Sequence, residues 1–261
     1  MKRSVKVALI LSFVLILLGT MLFTGTAIYL GFDLAKASIT PPVSNTYGIT
    51  EAFDSIYING GETDVLLLPS EDGTCRVEID EAERVYHTVE VKDGTLSIRR
   101  HDARKWYDHF GFQVTAFKII IYLPQASLDS LHVQLYTGKI VVQEGFCFRD
   151  VYVNGYSGDI QVCAKVTGTV DANSISGNIW LAGANCEKIA AKTISGNIHL
   201  VDCDGRELTL ESISGDISGN LLTPKSFSVT TVSGSINAPS TPDGDPCTIT
   251  TVSGDIQFKI P

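Results

Sequence analysis

Six serines, Ser157, Ser176, Ser195, Ser214, Ser233 and Ser253, each precede a glycine, and a recurring hydroxyl is the first place to look for a nucleophile. A serine nucleophile needs a base held against it. The nearest histidine along the chain, His199, lies three residues past Gly196, and none shares the Ser-Gly segments, so no catalytic residue and no cofactor is assigned. The positions after the glycines, Asp159, Asn178, Asn197, Asp216, Ser235 and Asp255, could offer oxygens to Ca²⁺. Calcium wants several oxygens per loop, whereas each repeat supplies one side chain here, so these residues read as turn formers and no metal site is assigned. The segment RRHDARKWYDHFGF (99–112) concentrates histidine, arginine and aromatic residues. His101 and His109 are eight apart, a spacing that suits a zinc site only loosely. The segment reads instead as an exposed or capping loop whose aromatics cover an open end of the fold. Any partner contact is expected there, at His101, Arg104, Trp106, Tyr107, His109 and Phe110.

What must position these residues is a repeat. Tyr-Thr-Gly-Lys-Ile, Tyr-Ser-Gly-Asp-Ile, Ile-Ser-Gly-Asn-Ile twice, Ile-Ser-Gly-Asp-Ile, Val-Ser-Gly-Ser-Ile and Val-Ser-Gly-Asp-Ile follow one another, with glycines at 138, 158, 177, 196, 215, 234 and 254. The intervals are 20, 19, 19, 19, 19 and 20 residues, a solenoid signature. Two residues past each glycine stands Ile140, Ile160, Ile179, Ile198, Ile217, Ile236 or Ile256. Further apolar slots recur before the later glycines at Val151, Val170, Ile189, Leu208, Phe227 and Cys247, and at Val153, Ala172, Ala191, Leu210, Val229 and Ile249. Alternation within a repeat has the period of a strand with one face inward, and identical slots then stack into columns. The fold class is therefore all-β: a parallel β-solenoid, or single-stranded β-helix, of about seven 19-residue coils over 131–261. A β-rich N-terminal part (51–130) precedes it, with strands expected at 55–59, 64–68, 75–79, 87–91, 95–99 and 117–123 between Gly- and Asp-rich turns. All seven isoleucines are expected in the core. Pro239, Pro242, Asp243, Asp245 and Pro246 interrupt the last interval, and the final coil is expected to form a guarded edge that keeps the ectodomain monomeric.

Residues 7–32 carry no charge and follow Lys2, Arg3 and Lys6. At ~1.5 Å per residue this stretch exceeds a hydrocarbon core of about 30 Å. It reads as a transmembrane anchor with residues 1–6 cytoplasmic and everything after it outside, joined to the β-rich part by a linker (33–50). A signal peptide cleaved between Ala37 and Ser38 is the competing reading. The whole chain has 20 basic and 29 acidic side chains; beyond residue 36, 16 against 28 remain, or −12. So acidic a surface repels phosphate backbones and excludes nucleic acid as a partner. Six cysteines would ordinarily suggest a disulfide framework. Cys247, however, occupies an apolar column. Cys186 and Cys203 are offset by two residues and one coil, about 8 Å between Cα atoms, beyond comfortable bridging.

With its N-terminal anchor, Ile-Ser-Gly-Asp-Ile repeats and the strand IIIYLPQ (119–125), the chain resembles the bacterial putative-adhesin family of β-strand-repeat proteins, a domain of unknown function, over about residues 50–261. The resemblance implies a single-span or secreted envelope protein, in some members encoded with cell-envelope stress genes, and offers no catalytic residues. The function expected is binding, adhesion or an envelope-stress role at the cell surface without catalysis, with an envelope protein or glycan as partner. The alternatives are a polysaccharide-active β-helix enzyme and a structural spacer or assembly scaffold. Coils of 19 or 20 residues leave no insertion long enough to build an enzyme's cleft.

Overall fold

The computed structural model describes residues 3–29, 43–82, 84–104, 117–124, 127–239 and 243–260. One helix, α1 (Arg3–Tyr29), precedes twenty strands. Its stretch Leu9–Tyr29 is long and apolar enough to cross a membrane. The hydroxyls of Thr20, Thr24 and Thr26 donate to the carbonyls of Ile16, Thr20 and Leu22 at 2.7–2.8 Å, so none of the three presents an unpaired polar group to lipid.

The strands are β1 (Val43–Ile49), β2 (Ser55–Pro69), β3 (Cys75–Glu81), β4 (Val85–Lys92), β5 (Thr95–Asp102), β6 (Phe117–Leu123), β7 (Ser127–Thr137), β8 (Ile140–Val142), β9 (Cys147–Ser157) and β10 (Ile160–Val162). They continue as β11 (Lys165–Val166), β12 (Thr169–Ser176), β13 (Ile179–Ala182), β14 (Asn185–Ser195), β15 (Ile198–Ser214), β16 (Ile217–Leu221), β17 (Lys225–Ser233), β18 (Ile236–Asn237), β19 (Asp245–Ser253) and β20 (Ile256–Lys259). Each coil contributes one segment to each of two parallel sheets. Sheet A stacks Ile140, Ile160, Ile179, Ile198 and Ile217 in register, and sheet B stacks Val151, Val170, Ile189 and Leu208. The core lies between the sheets, and most of these side chains are fully buried. Each such isoleucine contributes roughly 1.5–3 kcal/mol by leaving water.

The expected solenoid is present, and it begins earlier than residue 131. Strand β2 already runs through both sheets, pairing in parallel with β7 and β8. The Asn59-Gly60-Gly61 segment, expected to separate two strands, is a register shift at the corner inside β2. Gly61 takes φ 66°, the conformation such a corner requires. Residues 43–49 of the expected linker form β1, antiparallel to β3. The antiparallel strands β3 and β4 flank β6 and β5.

Stacking order departs from chain order at both ends. Strand β2 sits between β5 and β7 in sheet B, and between β6 and β8 in sheet A. At the other end the last segments, β19 and β20, insert between β15–β16 and β17–β18. The final repeat is therefore not the edge expected from the sequence: the penultimate repeat is. As a direct result Ile236, which should fill the isoleucine column, is 51% exposed, while Ile256 is fully buried.

The corner glycines show why no other residue serves. A Cβ on Gly158, Gly177 or Gly196 would lie 2.0–2.1 Å from the carbonyl oxygen of the preceding corner glycine. The same test places Gly254 on Gly215 and Gly234 on Gly254, repeating the inverted order.

Candidate binding surface

The positions after the corner glycines do more than turn the chain. The Oδ1 atoms of Asp159, Asn178 and Asn197 accept the backbone N–H of Asn178, Asn197 and Asp216 at 2.8–3.0 Å. Asp216 accepts from Asp255, and Asp255 from Ser235, at 2.8 and 2.7 Å. Each side chain thus caps the next coil, and Ser235 stands at the far end of the ladder. The hydrogen bond from Ser235 holds the Asp255 carboxyl below its ordinary range. These oxygens are committed to backbone donors, which leaves no convergent set for a cation. Among the described residues no group of three or more potential ligands gathers around a metal-sized space.

The serine column is exposed along the same corner. His199 faces another way, with Nδ1 2.9 Å from Ser218 Oγ and its ring 4.3 Å from that of Trp180. Buried thiols are equally unsuited to chemistry. Desolvation raises Cys75 and Cys203 to about 11 and Cys186 and Cys247 to about 12, so these thiols stay protonated and are poor nucleophiles. Cys186 lies opposite Gly205, two residues from Cys203 on the neighbouring coil, as the repeat arithmetic required.

Of the expected contact residues, Trp106, Tyr107, His109 and Phe110 lie outside the described residues. Arg104 is the last described residue of that segment and is half-buried. His101 is exposed on β5, its ring stacked 5.1 Å from Tyr86 and its Nε2 2.9 Å from Thr88 Oγ1. The structure therefore brings His101 together with neighbours on β4.

A surface that sequence reasoning missed runs along the solenoid. The residue before each corner serine or threonine points outward: Tyr136, Tyr156, Ile175, Ile194, Ile213, Val252 and Val232, in spatial order, are 43–79% exposed. The signal was present, since alternation from the buried Val170, Ala172 and Ser174 turns Ile175 outward, but an apolar residue beside a core motif reads as core until the corner that follows is placed. Beside this stripe, sheet B stacks Asn59, Gln134, Asn154 and Asn173 in register on its outer face. On the far side of that amide ladder His132 and Tyr152 stack at 4.6 Å, with Tyr57 in register beneath them. Further along, the amides give way to ion pairs, Lys192 with Glu211 and Lys188 with Glu207, both at 3.1 Å. The outer face thus divides into a half rich in aromatic and amide side chains, where Asp171 accepts from Asn173 Nδ2 at 2.7 Å and Arg99 lies over Tyr57, and a half of cross-coil ion pairs.

Between Tyr136, Tyr156 and Ile175 lies an open groove of about 480 Å³. Gly155 lines it, while the slot its side chain would occupy faces inward and holds the buried Leu135, Ser174, Thr193, Ser212 or Thr251 in other coils. Thr193, Ser212, Thr251 and Thr231 each donate to a corner glycine carbonyl at 3.1–3.2 Å. Ser174, which lines the groove, is buried and its hydroxyl has no partner.

Comparison with known proteins places this architecture. A putative adhesin from Bacteroides fragilis is similar, at 18% identity and TM-score 0.54, covering 85% of this chain and 99% of its own. A putative lipid binding protein from Parabacteroides distasonis (17% identity, TM-score 0.47) matches 84% of this chain and 97% of its own. A putative adhesin from Parabacteroides merdae (14%, TM-score 0.43) matches 84% and 96%. No curated protein sequence matches. The Toastrack DUF4097 profile matches residues 53–261, the whole stack of coils described above, and the chain belongs to that family.

Proposed function

We propose that the protein is a membrane-tethered binding module of the cell envelope, held by α1 with the solenoid outside, that engages an extracellular partner through the outer face of sheet B and performs no catalysis. The observation that carries this reading is the aromatic- and amide-rich surface over β2, β7, β9 and β12, where side chains suited to recognition are solvent-exposed in successive registers. The Bacteroides fragilis neighbour's name carries the same expectation. Against an enzyme stands the separation of His199, held against Ser218 and Trp180, from the corner that carries the serine column and the acidic ladder. Lys2, Arg3 and Lys6, ahead of the uncharged stretch at 7–32, support a cytoplasmic N-terminus.

The test is labelling of intact cells with a membrane-impermeant maleimide at a cysteine introduced in place of the exposed Gln257. Labelling equal to that of lysed cells is expected. Labelling only after lysis would overturn outward display, and a mature chain beginning at Ser38 in the medium would overturn tethering.

A further inference from the structure

We infer that the groove at Gly155 is a binding site for a neutral oligosaccharide, its sugar rings lying on Tyr136 and Tyr156 and its hydroxyls bonded by the amides of Gln134, Asn154 and Asn173. The inference deepens the proposed binding role and rests on it.

Three observations select this ligand class. First, the rings of Tyr136 and Tyr156 are exposed (62% and 58%) with centroids 5.6 Å apart and tilted by 40°. Two such rings on successive coils offer apolar faces with a polar rim, which suits a ligand whose faces carry C–H groups and whose edges carry hydroxyls. Second, the adjoining ladder is built of amides, each holding both donors and acceptors, as hydroxyl groups require. Asn173 Nδ2 donates to Asn154 Oδ1 at 3.1 Å, so the ladder is aligned before any ligand arrives. Third, the groove's lining contains no Lys, Arg, Asp or Glu, in a chain of net charge −9, which disfavours anionic and cationic ligands alike.

A peptide strand is a poor fit to this face. Strands β2, β7, β9 and β12 are each paired on both sides, so no backbone edge is free for strand addition, and recognition here falls to side chains.

Asn154 is exposed and lines the groove, so Asn154→Ala tests the ladder at a surface position. The experiment is calorimetric titration of the full chain in nanodiscs with cellohexaose, chitohexaose and maltohexaose, with polygalacturonate as the anionic control. Saturable binding of at least one neutral hexasaccharide is expected. Tyr156→Ala should weaken it roughly tenfold. Asn154→Ala should weaken it with the melting temperature unchanged, and Trp180→Ala, on sheet A, should leave it intact. No neutral hexasaccharide binding at millimolar concentration overturns the inference, as does binding indifferent to both groove variants or polygalacturonate binding as tight as the neutral sugars. Any of these, with surface labelling at position 257 intact, would leave the displayed binding module standing and remove only the saccharide; loss of labelling would remove the module itself.

Discussion

Lys225 is buried at the start of β17, and its Nζ lies 2.5 Å from Asp204 Oδ1, 2.8 Å from the Gly205 carbonyl and 3.3 Å from Asp245 Oδ2. Asp245 belongs to the coil directly beneath and Asp204 to the one below that, so a single side chain grips two coils past its own. Removing one partner of a buried pair strands the other charge. Lys225→Met should therefore cost about 3–5 kcal/mol, and adding Asp204→Asn should recover part of the loss. Chemical unfolding of both variants checks this, and equal destabilisation would show that the two residues do not act as a pair. A second buried group sets the acid limit. His87 Nδ1 is 3.4 Å from Glu81 Oε1, an ion-pair distance without hydrogen-bond alignment. Burial lowers the His87 pKa from 6.5, opposed by Glu81 and reinforced by Arg100 and His101. The folded state keeps this ring neutral where the unfolded chain would protonate it. Its contribution is thus complete above about pH 6.5 and is lost as pH falls toward the depressed folded value. Melting temperature should decline below about pH 6.5, and His87→Gln should flatten that decline; an unchanged slope would place the titration elsewhere.

At the scale of the coil, the inverted order gives an unambiguous cross-linking prediction. Ser253 pairs with Ser214 on one side and Ser233 on the other. Neighbouring strands lie about 4.8 Å apart, within disulfide reach. Cysteines replacing Ser214 and Ser253 should cross-link on oxidation, and cysteines replacing Ser214 and Ser233 should not; the reverse would restore chain order. The ladder has a measurable share too: Asn197→Leu removes the acceptor for Asp216 N–H and should cost about 1 kcal/mol, read by urea unfolding. The columns at Ile179, Ile198 and Val170 were legible because a repeat writes the same burial at the same slot every time. The inversion was not legible, since Gly215, Gly234 and Gly254 carry near-identical motifs and any of them can stack on another. Nor was the groove, whose walls Tyr136, Tyr156 and Ile175 come from successive coils and meet only once the register is known. The outward face of Tyr136 and Tyr156 escaped for a related reason: an apolar residue flanking a core motif is indistinguishable from core until the corner's direction is known.

For the whole molecule, the exposed flank formed by β17 and β18, with Ile236 open and Phe227 and Val229 half-buried, is the free end of the stack. Truncation after Ala238 should therefore not trim one terminal coil. It would remove β19 and β20 from between their neighbours and leave β17 and β18 without the strands they pair with, so stability should fall by more than one coil's share. Limited proteolysis checks this: digestion back to about residue 221 is expected, and a resistant fragment ending near residue 237 would contradict it. The same arrangement bears on biogenesis. A polypeptide leaving a ribosome or translocon presents residues 225–237 before 245–259, yet the earlier segment has its designed seat only once the later one has slipped beneath it. The outer end of the stack is completed only when residues 245–259 arrive, so a translation product interrupted before them keeps an unseated, protease-sensitive flap.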